Sequence, residues 1–224
     1  ATTIWGTASS WTLTALPLFV WMGEILFRTK LSENLFKGLS PWMQKLPGGL
    51  IHVNVVGCAL FAAISGSSAA TVATVGKMSI PELRKRNYPE KILLGSLAGS
   101  GTLGLLIPPS IILIIYGVAV QESIAKLFIA GIIPGIMIAL IFMSYVIIWS
   151  LINKKEMPKI LEEYTFLEKI KRSKQLLPVI LLISAVIGSI YTGIATATEA
   201  ASLGVVGALI LSYFQKSLTL ETFK

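Results

Sequence analysis

Two groups of small polar residues interrupt long apolar stretches of this sequence. Ser65-Gly66-Ser67-Ser68 lies inside the uncharged run 50–76. A second uncharged run, 92–120, contains Gly99-Ser100-Gly101-Thr102-Leu103-Gly104 and Pro108-Pro109-Ser110. Hydroxyls and freed carbonyls can coordinate a small cation, and the N–H groups that begin a new helix attract an anion. Because non-helical backbone at membrane depth must be buried in protein or line a polar cavity, the two interruptions predict a binding site.

A structural alternative exists for each interruption. A kinked helix packed through small residues would explain the same composition, as Gly95-x-x-x-Gly99 and Gly131-x-x-x-Gly135 indicate elsewhere. The prolines lack an amide hydrogen, so they free upstream carbonyls under either interpretation. Residues 99–104 also match G-x-G-x-x-G, but no strand precedes them and two prolines follow. Nucleotide binding is therefore disfavoured.

The ionisable residues inside apolar segments have structural explanations. Glu24 precedes Arg28 by one helical turn, which favours an ion pair over a proton relay. Glu199 follows Thr196 at the spacing of a capping box. His52 has no second ligand residue at metal spacing, so an interfacial or hydrogen-bonded histidine is preferred to a metal site. Since no nucleophile, base and orienting group assemble in the sequence, no enzyme activity is predicted.

Composition places the chain among all-α integral membrane proteins. The residues are 54% hydrophobic and 13% charged, and apolar blocks alternate with short charged segments. The net charge of +8 comes from cations between these blocks, which indicates membrane-surface anchors and no nucleic-acid partner. Cys58 is the single cysteine, so we expect a packed thiol. Neither end has the character of a natural terminus, so we expect a part of a longer protein.

Charge is distributed asymmetrically between the two sides of the predicted membrane segments. If 50–76 is a re-entrant hairpin and 92–120 crosses once as a broken helix, 18 of the 19 Lys and Arg residues share one face. Only Lys126 lies on the other face. The positive-inside rule then assigns the cation-rich face to the cytoplasm. A spanning 50–76, or a second hairpin at 92–120, would move a basic cluster outside. The remaining candidate segments are 11–27, 127–152, 176–193 and 198–214.

Lengths and amphipathic patterns agree with this arrangement. Each arm of a hairpin that turns at 65–68 is about 20 Å long, which passes the middle of a core about 30 Å thick without crossing it. Two connecting segments have the pattern of helices that lie on the cytoplasmic membrane surface. The first ends at Pro41 and 47–49, and its apolar face is Leu31, Leu35, Phe36 and Leu39. The apolar residues of the second are Ile160, Leu161, Tyr164, Leu167 and Ile170.

Five segments together have a recognisable pattern: 52–57 (HVNVVG), 61–71 (FAAISGSSAAT), 101–110 (GTLGLLIPPS), 130–135 (AGIIPG) and 196–201 (TATEAA). In this order they closely resemble the large membrane subunit (M subunit, DctM-like) of TRAP transporters, the tripartite ATP-independent periplasmic carriers. The resemblance extends from about residue 11 to residue 214. Several of the segments are long enough to be specific.

The resemblance implies an elevator-type transporter, with a scaffold domain, amphipathic arm helices and a moving transport domain. It implies Na⁺ as the coupling ion and no other cofactor. It also implies two protein partners, a small membrane subunit and a periplasmic substrate-binding protein that delivers an organic anion. Carried over residue by residue, the sodium site falls on Ser65, Ser67, Ser68, Gly101, Thr102 and Gly104. We place the vicinity of the substrate at Asn54, Gly66, Pro108, Pro109 and Ser110.

The predicted organisation has four parts. Residues 1–49 form a scaffold helix and an amphipathic arm, 50–152 part of the transport domain, 153–175 a cytoplasmic interfacial linker, and 176–224 the start of a second repeat. The chain is thus predicted to be a multi-pass protein of a bacterial or archaeal inner membrane. Its predicted function is sodium-coupled import of a carboxylate or sugar acid. The alternatives are a symporter that needs no binding protein and a membrane scaffold subunit that transports nothing.

Overall fold

The computed structural model describes residues 11–29, 31–158 and 164–215, which form helices and turns without a strand. Four cations and two arm residues of the sequence analysis lie outside the described residues: Lys30, Lys159, Lys216, Lys224, Ile160 and Leu161. The described α-helices are α1 Ala15–Phe27, α2 Leu31–Met43, α3 His52–Ser65, α4 Ser68–Lys85, α5 Glu90–Gly101, α6 Ile111–Val120, α7 Ile124–Ile152, α8 Phe166–Ser173, α9 Leu177–Tyr191 and α10 Ala197–Phe214.

Among the described residues, three helices are long and apolar enough to cross a membrane. They are Ile124–Ile152, Ala197–Phe214 and the continuous segment Phe166–Tyr191, in which α8 passes through a 3₁₀ turn into α9. Shorter apolar helices cover Trp11–Phe27, Gly49–Ser65 and Ile111–Val120. Most side chains of α7 are apolar and only six of its 29 residues are buried, as a surface that faces lipid requires. The expected all-helical membrane protein is therefore confirmed at this level.

Helices α3 and α4 form an antiparallel hairpin. Gly57 faces Val75 near the middle of the two arms, and Ser65 faces Thr71 next to the turn. The chain reverses at Gly66, whose φ of +58° lies in the left-handed region that favours glycine. The second arm runs to Lys85, beyond the predicted limit at residue 76. The difference arises because charged residues end an apolar run without ending a helix.

Helix α5 returns antiparallel to α4 after a short turn. Gly76 packs against Leu97 just beyond the middle of α5, and Gly101 packs against Val72 at its end. At the turn, Arg84 Nε and Glu90 Oε1 are 2.6 Å apart, and this hydrogen bond raises the pKa of the Arg84 guanidinium. These contacts bring the end of α5 back to the tip of the hairpin.

Helix α5 ends in a 3₁₀ segment, Thr102–Leu105, and the helical direction resumes in α6 after residues 106–110. Helix α7 runs the length of this interrupted helix in the opposite direction. Four glycine contacts define the register: Gly117 with Leu127, Gly131 with Leu113, Gly135 with Ile107, and Gly99 with Phe142. The 29 residues of α7 rise about 43 Å, which is the thickness of a membrane. Since α5, the break and α6 lie alongside α7, together they cover a similar distance.

The hairpin covers about half of that distance. The loop before α3 touches α7 at Val146, through Gly48. The tip, at Gly66, contacts Pro109. Pro109 lies two residues after Ile107, which packs against Gly135 of α7. Eleven residues of α7, about 16 Å, separate the levels of residues 146 and 135, and a similar length continues beyond the tip.

Helix α1 lies between the hairpin tip and α10. Met22 on α1 packs against Gly204 of α10, whereas the next residue, Gly23, packs against the backbone of Ser65. Helix α9 completes this side of the molecule by packing Leu182 against Gly207 of α10. The tip is therefore enclosed by α1 on one side and by the break between α5 and α6 on the other.

The two amphipathic segments contact each other. Helix α2 continues through Pro41 to Met43, two residues beyond the predicted end at Pro41. Helix α8 begins at Phe166, so Tyr164 precedes the helix that was expected to include it. The Trp42 indole donates to Ser173 Oγ at 2.7 Å and packs edge-on against the Phe166 ring. Helix α8 is exposed and strongly amphipathic, in agreement with an interfacial helix.

Candidate functional site

The hairpin tip is held together by its own hydroxyl groups. Ser65 Oγ accepts from the Ser67 N–H at 3.3 Å and lies 3.1 Å from Thr71 Oγ1. Thr71 Oγ1 donates to the Ser67 carbonyl at 2.7 Å, and Ser67 Oγ caps α4 by accepting from the Ala70 N–H at 3.4 Å. The hydroxyls of Ser65, Ser67 and Thr71 thus fix the shape of the tip.

Several oxygens at the tip keep unused hydrogen-bonding capacity. The Ser68 hydroxyl is buried and has no hydrogen-bond partner among the described residues. The last three carbonyls of α3, those of Ala63, Ile64 and Ser65, accept no hydrogen bond in that part of the chain either. Ala63, Ile64 and Ser65 are buried. A cluster of buried neutral oxygens suits a cation better than an anion.

The break in the next helix supports the tip through its backbone. A Cβ on Gly104 would lie 2.8 Å from both the Ser67 carbonyl carbon and the Ser68 nitrogen, so the two main chains touch. The Ile111 N–H donates to the Gly66 carbonyl at 3.3 Å, which joins the tip to the start of α6. Ser110 is buried, and its hydroxyl donates to the Leu105 carbonyl at 2.6 Å, which closes the loop.

The structure thus brings together most of the predicted site residues. The residues that meet at this junction are Ser65, Gly66, Ser67, Ser68, Gly101, Gly104, Pro109 and Ser110. Pro108 is buried in the same loop and its ring lies against α7 at Gly131. The N-terminal ends of α4 and α6 also meet here. Free N–H groups at these ends would attract an anionic group, next to the oxygens that suit a cation.

Two predicted residues are placed differently. The Thr102 side chain is exposed, and its hydroxyl donates to the Gly99 carbonyl at 2.7 Å. Asn54 is fully buried eleven residues before the tip, about 16 Å along α3. Its Nδ2 donates to the Leu93 carbonyl at 3.2 Å and to Ser96 Oγ at 3.0 Å. Asn54 therefore fastens the hairpin to α5, and its amide does not reach the junction.

Two residues at the junction were not predicted from the sequence. Thr71 closes the tip and is fully buried. Its position four residues after Ser67 is typical of a hydroxyl that bonds the carbonyl one turn earlier, and this spacing is a usable signal. Gly23 packs against Ser65 across a large separation in sequence, for which the sequence offered no signal.

The other ionisable and polar candidates have the structural roles predicted for them. Arg28 Nε and Glu24 Oε1 are 2.7 Å apart. The Glu199 carboxylate accepts from the Thr196 N–H at 2.8 Å, which completes the capping box. His52 Nε2 lies 2.8 Å from the Pro47 carbonyl oxygen. Cys58 is a free and buried thiol.

One cavity of the described structure lies away from the junction. It encloses about 590 Å³ at the end of α6 opposite the break, and Thr12, Gln121, Glu122 and Thr196 are among its lining residues. Both carboxyl-bearing and backbone groups line it, and Glu199 already uses its carboxylate at the adjacent cap. The junction is instead a contact of main chains, so this cavity and the candidate chemistry do not coincide.

Comparison with known proteins matches the whole sequence to one protein family. The family described as "Tripartite ATP-independent periplasmic transporter, DctM component" matches residues 1–224. The C4-dicarboxylate TRAP transporter large permease protein DctM of Pseudomonas aeruginosa is 36% identical over 208 residues, which are 93% of this chain and 48% of that protein. The sialic acid TRAP transporter large permease protein SiaM of Vibrio cholerae is 35% identical over 221 residues, 97% of this chain and 51% of that protein.

A third relative differs in the compound that its name contains. The ectoine/5-hydroxyectoine TRAP transporter large permease protein UehC of Ruegeria pomeroyi is 34% identical over 204 residues, 89% of this chain and 46% of that protein. The chain therefore spans about half the length of the curated relatives that it matches. Similarity of this extent across differently named permeases points to shared architecture more than to one shared substrate.

Proposed function

The chain belongs to the family of DctM components of tripartite ATP-independent periplasmic transporters, and on that premise we propose that it forms part of a permease that imports an organic anion together with sodium. The compounds in the names of the three relatives each carry a carboxylate group. A carboxylate-bearing solute is accordingly the proposed substrate class. As part of a transport permease, the chain carries a solute and catalyses no chemical reaction.

The observation that carries this proposal is the junction between the hairpin tip and the broken helix. Buried neutral oxygens lie there beside two helix N-termini, at Ser68 and Ile111. Sodium is the proposed ligand of the oxygens, and the substrate carboxylate is proposed to face the N-termini. The proposed sodium site keeps the six predicted residues, with Ser68 contributing its hydroxyl and Thr102 its carbonyl, because the Thr102 hydroxyl is already bonded to Gly99.

Two observations support a hairpin that enters and leaves on the same side. The tip lies about half-way along α7, so the hairpin is too short to cross beside it. Its open end contains Lys85 and Arg86, near the cation-rich ends of α1 and α7. The proposed topology places these ends in the cytoplasm and Lys126 outside, in a multi-pass protein of the inner membrane.

The proposed mechanism is an elevator in which the hairpin, α5 and α6 move past α1. Family membership supports two partners, a small membrane subunit and a periplasmic protein that binds the solute. The two alternatives from the sequence, a symporter without a binding protein and a scaffold subunit without transport, are distinguished by measuring transport itself.

Uptake by the full-length transporter in proteoliposomes tests the function. Each candidate carboxylate is supplied with its binding protein, with an inward sodium gradient or with choline in place of sodium. We expect uptake only with both sodium and the binding protein. Equal uptake without the binding protein would favour the independent symporter, and no uptake of any carboxylate would favour the scaffold.

Labelling of single cysteines tests the topology separately. With Cys58 replaced, cysteines at positions 45, 85 and 171 should react with an impermeant thiol reagent only from the cytoplasmic side. A cysteine at Glu122 should react only from outside. Labelling of position 85 exclusively from outside would show that the hairpin crosses the membrane, and the proposed topology would then be wrong.

A further inference from the structure

The hairpin has two neighbours that hold it in different ways. On the side of α5 and α6 it is hydrogen-bonded, through the Asn54 amide to Leu93 and through the Gly66 carbonyl to Ile111. On the side of α1, no hydrogen bond joins Ala15–Phe27 to the hairpin among the described residues. The contact there is apolar packing, with the Lys77 ammonium 5.3 Å from the centre of the Phe27 ring.

The surface of α1 that contacts the hairpin has no side chain at one position, Gly23. Gly23 is buried, and a Cβ on it would lie 3.0 Å from Ser65 Cα and 3.2 Å from Ser65 Cβ. Helix α1 can approach the tip this closely only because residue 23 has no side chain. The neighbouring Met22 contacts Gly204 of α10 instead. Helix α1 therefore packs against α10 through a side chain and against the hairpin tip through its backbone at Gly23.

We infer that Gly23 is a conformation-selecting contact: it is the position on α1 at which the hairpin tip rests in this conformation, and a side chain there disfavours this conformation relative to others. The inference rests on the proposed function, in which the tip moves past α1. The Ser65 hydroxyl bonds the Ser67 N–H and lies beside Thr71 Oγ1 at the tip. A side chain at position 23 would displace Ser65, and through Ser65 it would displace the tip. Gly23 is a positioning residue and touches no proposed ligand.

The chain offers matched glycines as controls. Gly188 lies in α9 with no described residue within 4 Å of its Cβ position, so Gly188→Ala adds the same methyl group without a contact to them. Gly204→Ala adds it against Met22 Sδ, at 2.5 Å, on the opposite side of α1. The first control reports the effect of alanine on a helix, and the second reports crowding that does not involve the hairpin.

A distance measurement tests the inference in the full-length transporter. Spin labels at Val20→Cys on α1 and Ala73→Cys on α4, both exposed positions, report the separation of the two elements with Cys58 replaced. Distances are recorded with sodium and with choline. Gly23→Ala should lower the population that matches this structure about fivefold or more, since overpacking disfavours the conformation that contains the clash. Gly204→Ala and Gly188→Ala should leave that population within about twofold of the parent.

The outcomes separate this inference from the function on which it rests. Two populations in the parent that Gly23→Ala leaves unchanged would overturn the role of Gly23 and keep the moving hairpin. One unchanging distance in the parent under all conditions would overturn both. If Gly23→Ala fails to assemble, Ser65→Thr thickens the same contact from the hairpin side while it retains the hydroxyl, and it should cause a shift in the same direction.

Discussion

The hairpin tip and the break in the following helix are both interruptions of apolar helices, and they are closed by different means. At the tip, side-chain hydroxyls of Ser65, Ser67 and Thr71 bond the neighbouring backbone. At the break, glycines allow main chains to touch, and the Ser110 hydroxyl bonds a single carbonyl of the loop. The polar composition of the tip therefore serves largely to build the tip itself.

This difference changes which atoms remain for a ligand. Most hydroxyls that make the sequence look like a site already have partners, whereas the Ser68 hydroxyl and the last carbonyls of α3 have none among the described residues. A ligand at the junction would be bound chiefly by the backbone, whose position depends on glycines. Substitutions that displace the backbone should therefore have larger effects than substitutions that remove a hydroxyl.

Gly66→Ala should have the largest effect. The residue has φ of +58°, and a Cβ there would lie 2.5 Å from the Pro109 carbonyl oxygen. Backbone strain and overpacking each cost on the order of 1 to 3 kcal/mol, so together they should reduce uptake by about a hundredfold. The measurement is initial uptake in proteoliposomes at equal protein content. Gly95→Ala is the control, since no atom of the described residues lies within 4 Å of its Cβ position. Uptake near the parent level in Gly66→Ala would mean that the tip and the break need not touch.

Part of this junction was predictable from the sequence, because its signals are local. Gly66 marks the turn, Ser67 starts the next helix, and Pro108-Pro109 separates α5 from α6. Hydrophobic runs gave the helices but misplaced their ends, since the run 50–76 stops at a lysine inside α4. Helix boundaries depend on capping and tertiary contacts that composition does not contain.

The remaining features depend on contacts between distant parts of the chain. Asn54 looked available for a substrate, yet its Nδ2 donates both of its hydrogen bonds to α5, and residues 93 and 96 carry no mark of that pairing in the sequence. The approach of Gly23 to Ser65 depends on how α1 is placed by α10. A glycine in an apolar helix has many possible reasons, and only the packed structure selects one.

Ser68→Ala should have an intermediate effect, and it distinguishes a structural hydroxyl from a ligand. Because Ser68 Oγ has no partner in the described part of the chain, its removal breaks no bond and should leave the unfolding temperature unchanged or higher. As a sodium ligand, its loss should cost about 1 to 3 kcal/mol, or roughly tenfold to a hundredfold in apparent sodium affinity. Sodium dependence of uptake is the measurement.

Ser65→Ala provides the comparison for that result. Its hydroxyl holds the Ser67 N–H and lies beside Thr71 Oγ1, so its loss should lower the unfolding temperature as well as uptake. A stable Ser68→Ala protein with weakened sodium dependence, beside a destabilised Ser65→Ala protein, would support the division between ligand and scaffold hydroxyls. Unchanged sodium dependence in Ser68→Ala would remove its hydroxyl from the site.

Thr102→Ala should have the smallest effect, although the residue belongs to the predicted sodium site. Its side chain is exposed, and its hydroxyl donates to the Gly99 carbonyl one turn earlier. Alanine keeps the main-chain carbonyl that we propose as the ligand, and it removes one exposed hydrogen bond within a helix. Apparent sodium affinity and uptake should stay within about twofold of the parent, since exposed substitutions change stability by about 0.5 kcal/mol or less. Thr102→Ser restores the hydroxyl and serves as the matched control. A tenfold loss of sodium affinity in Thr102→Ala that Thr102→Ser recovers would show that the hydroxyl leaves Gly99 to bind the ion, and the break would then supply side-chain ligands as the tip does.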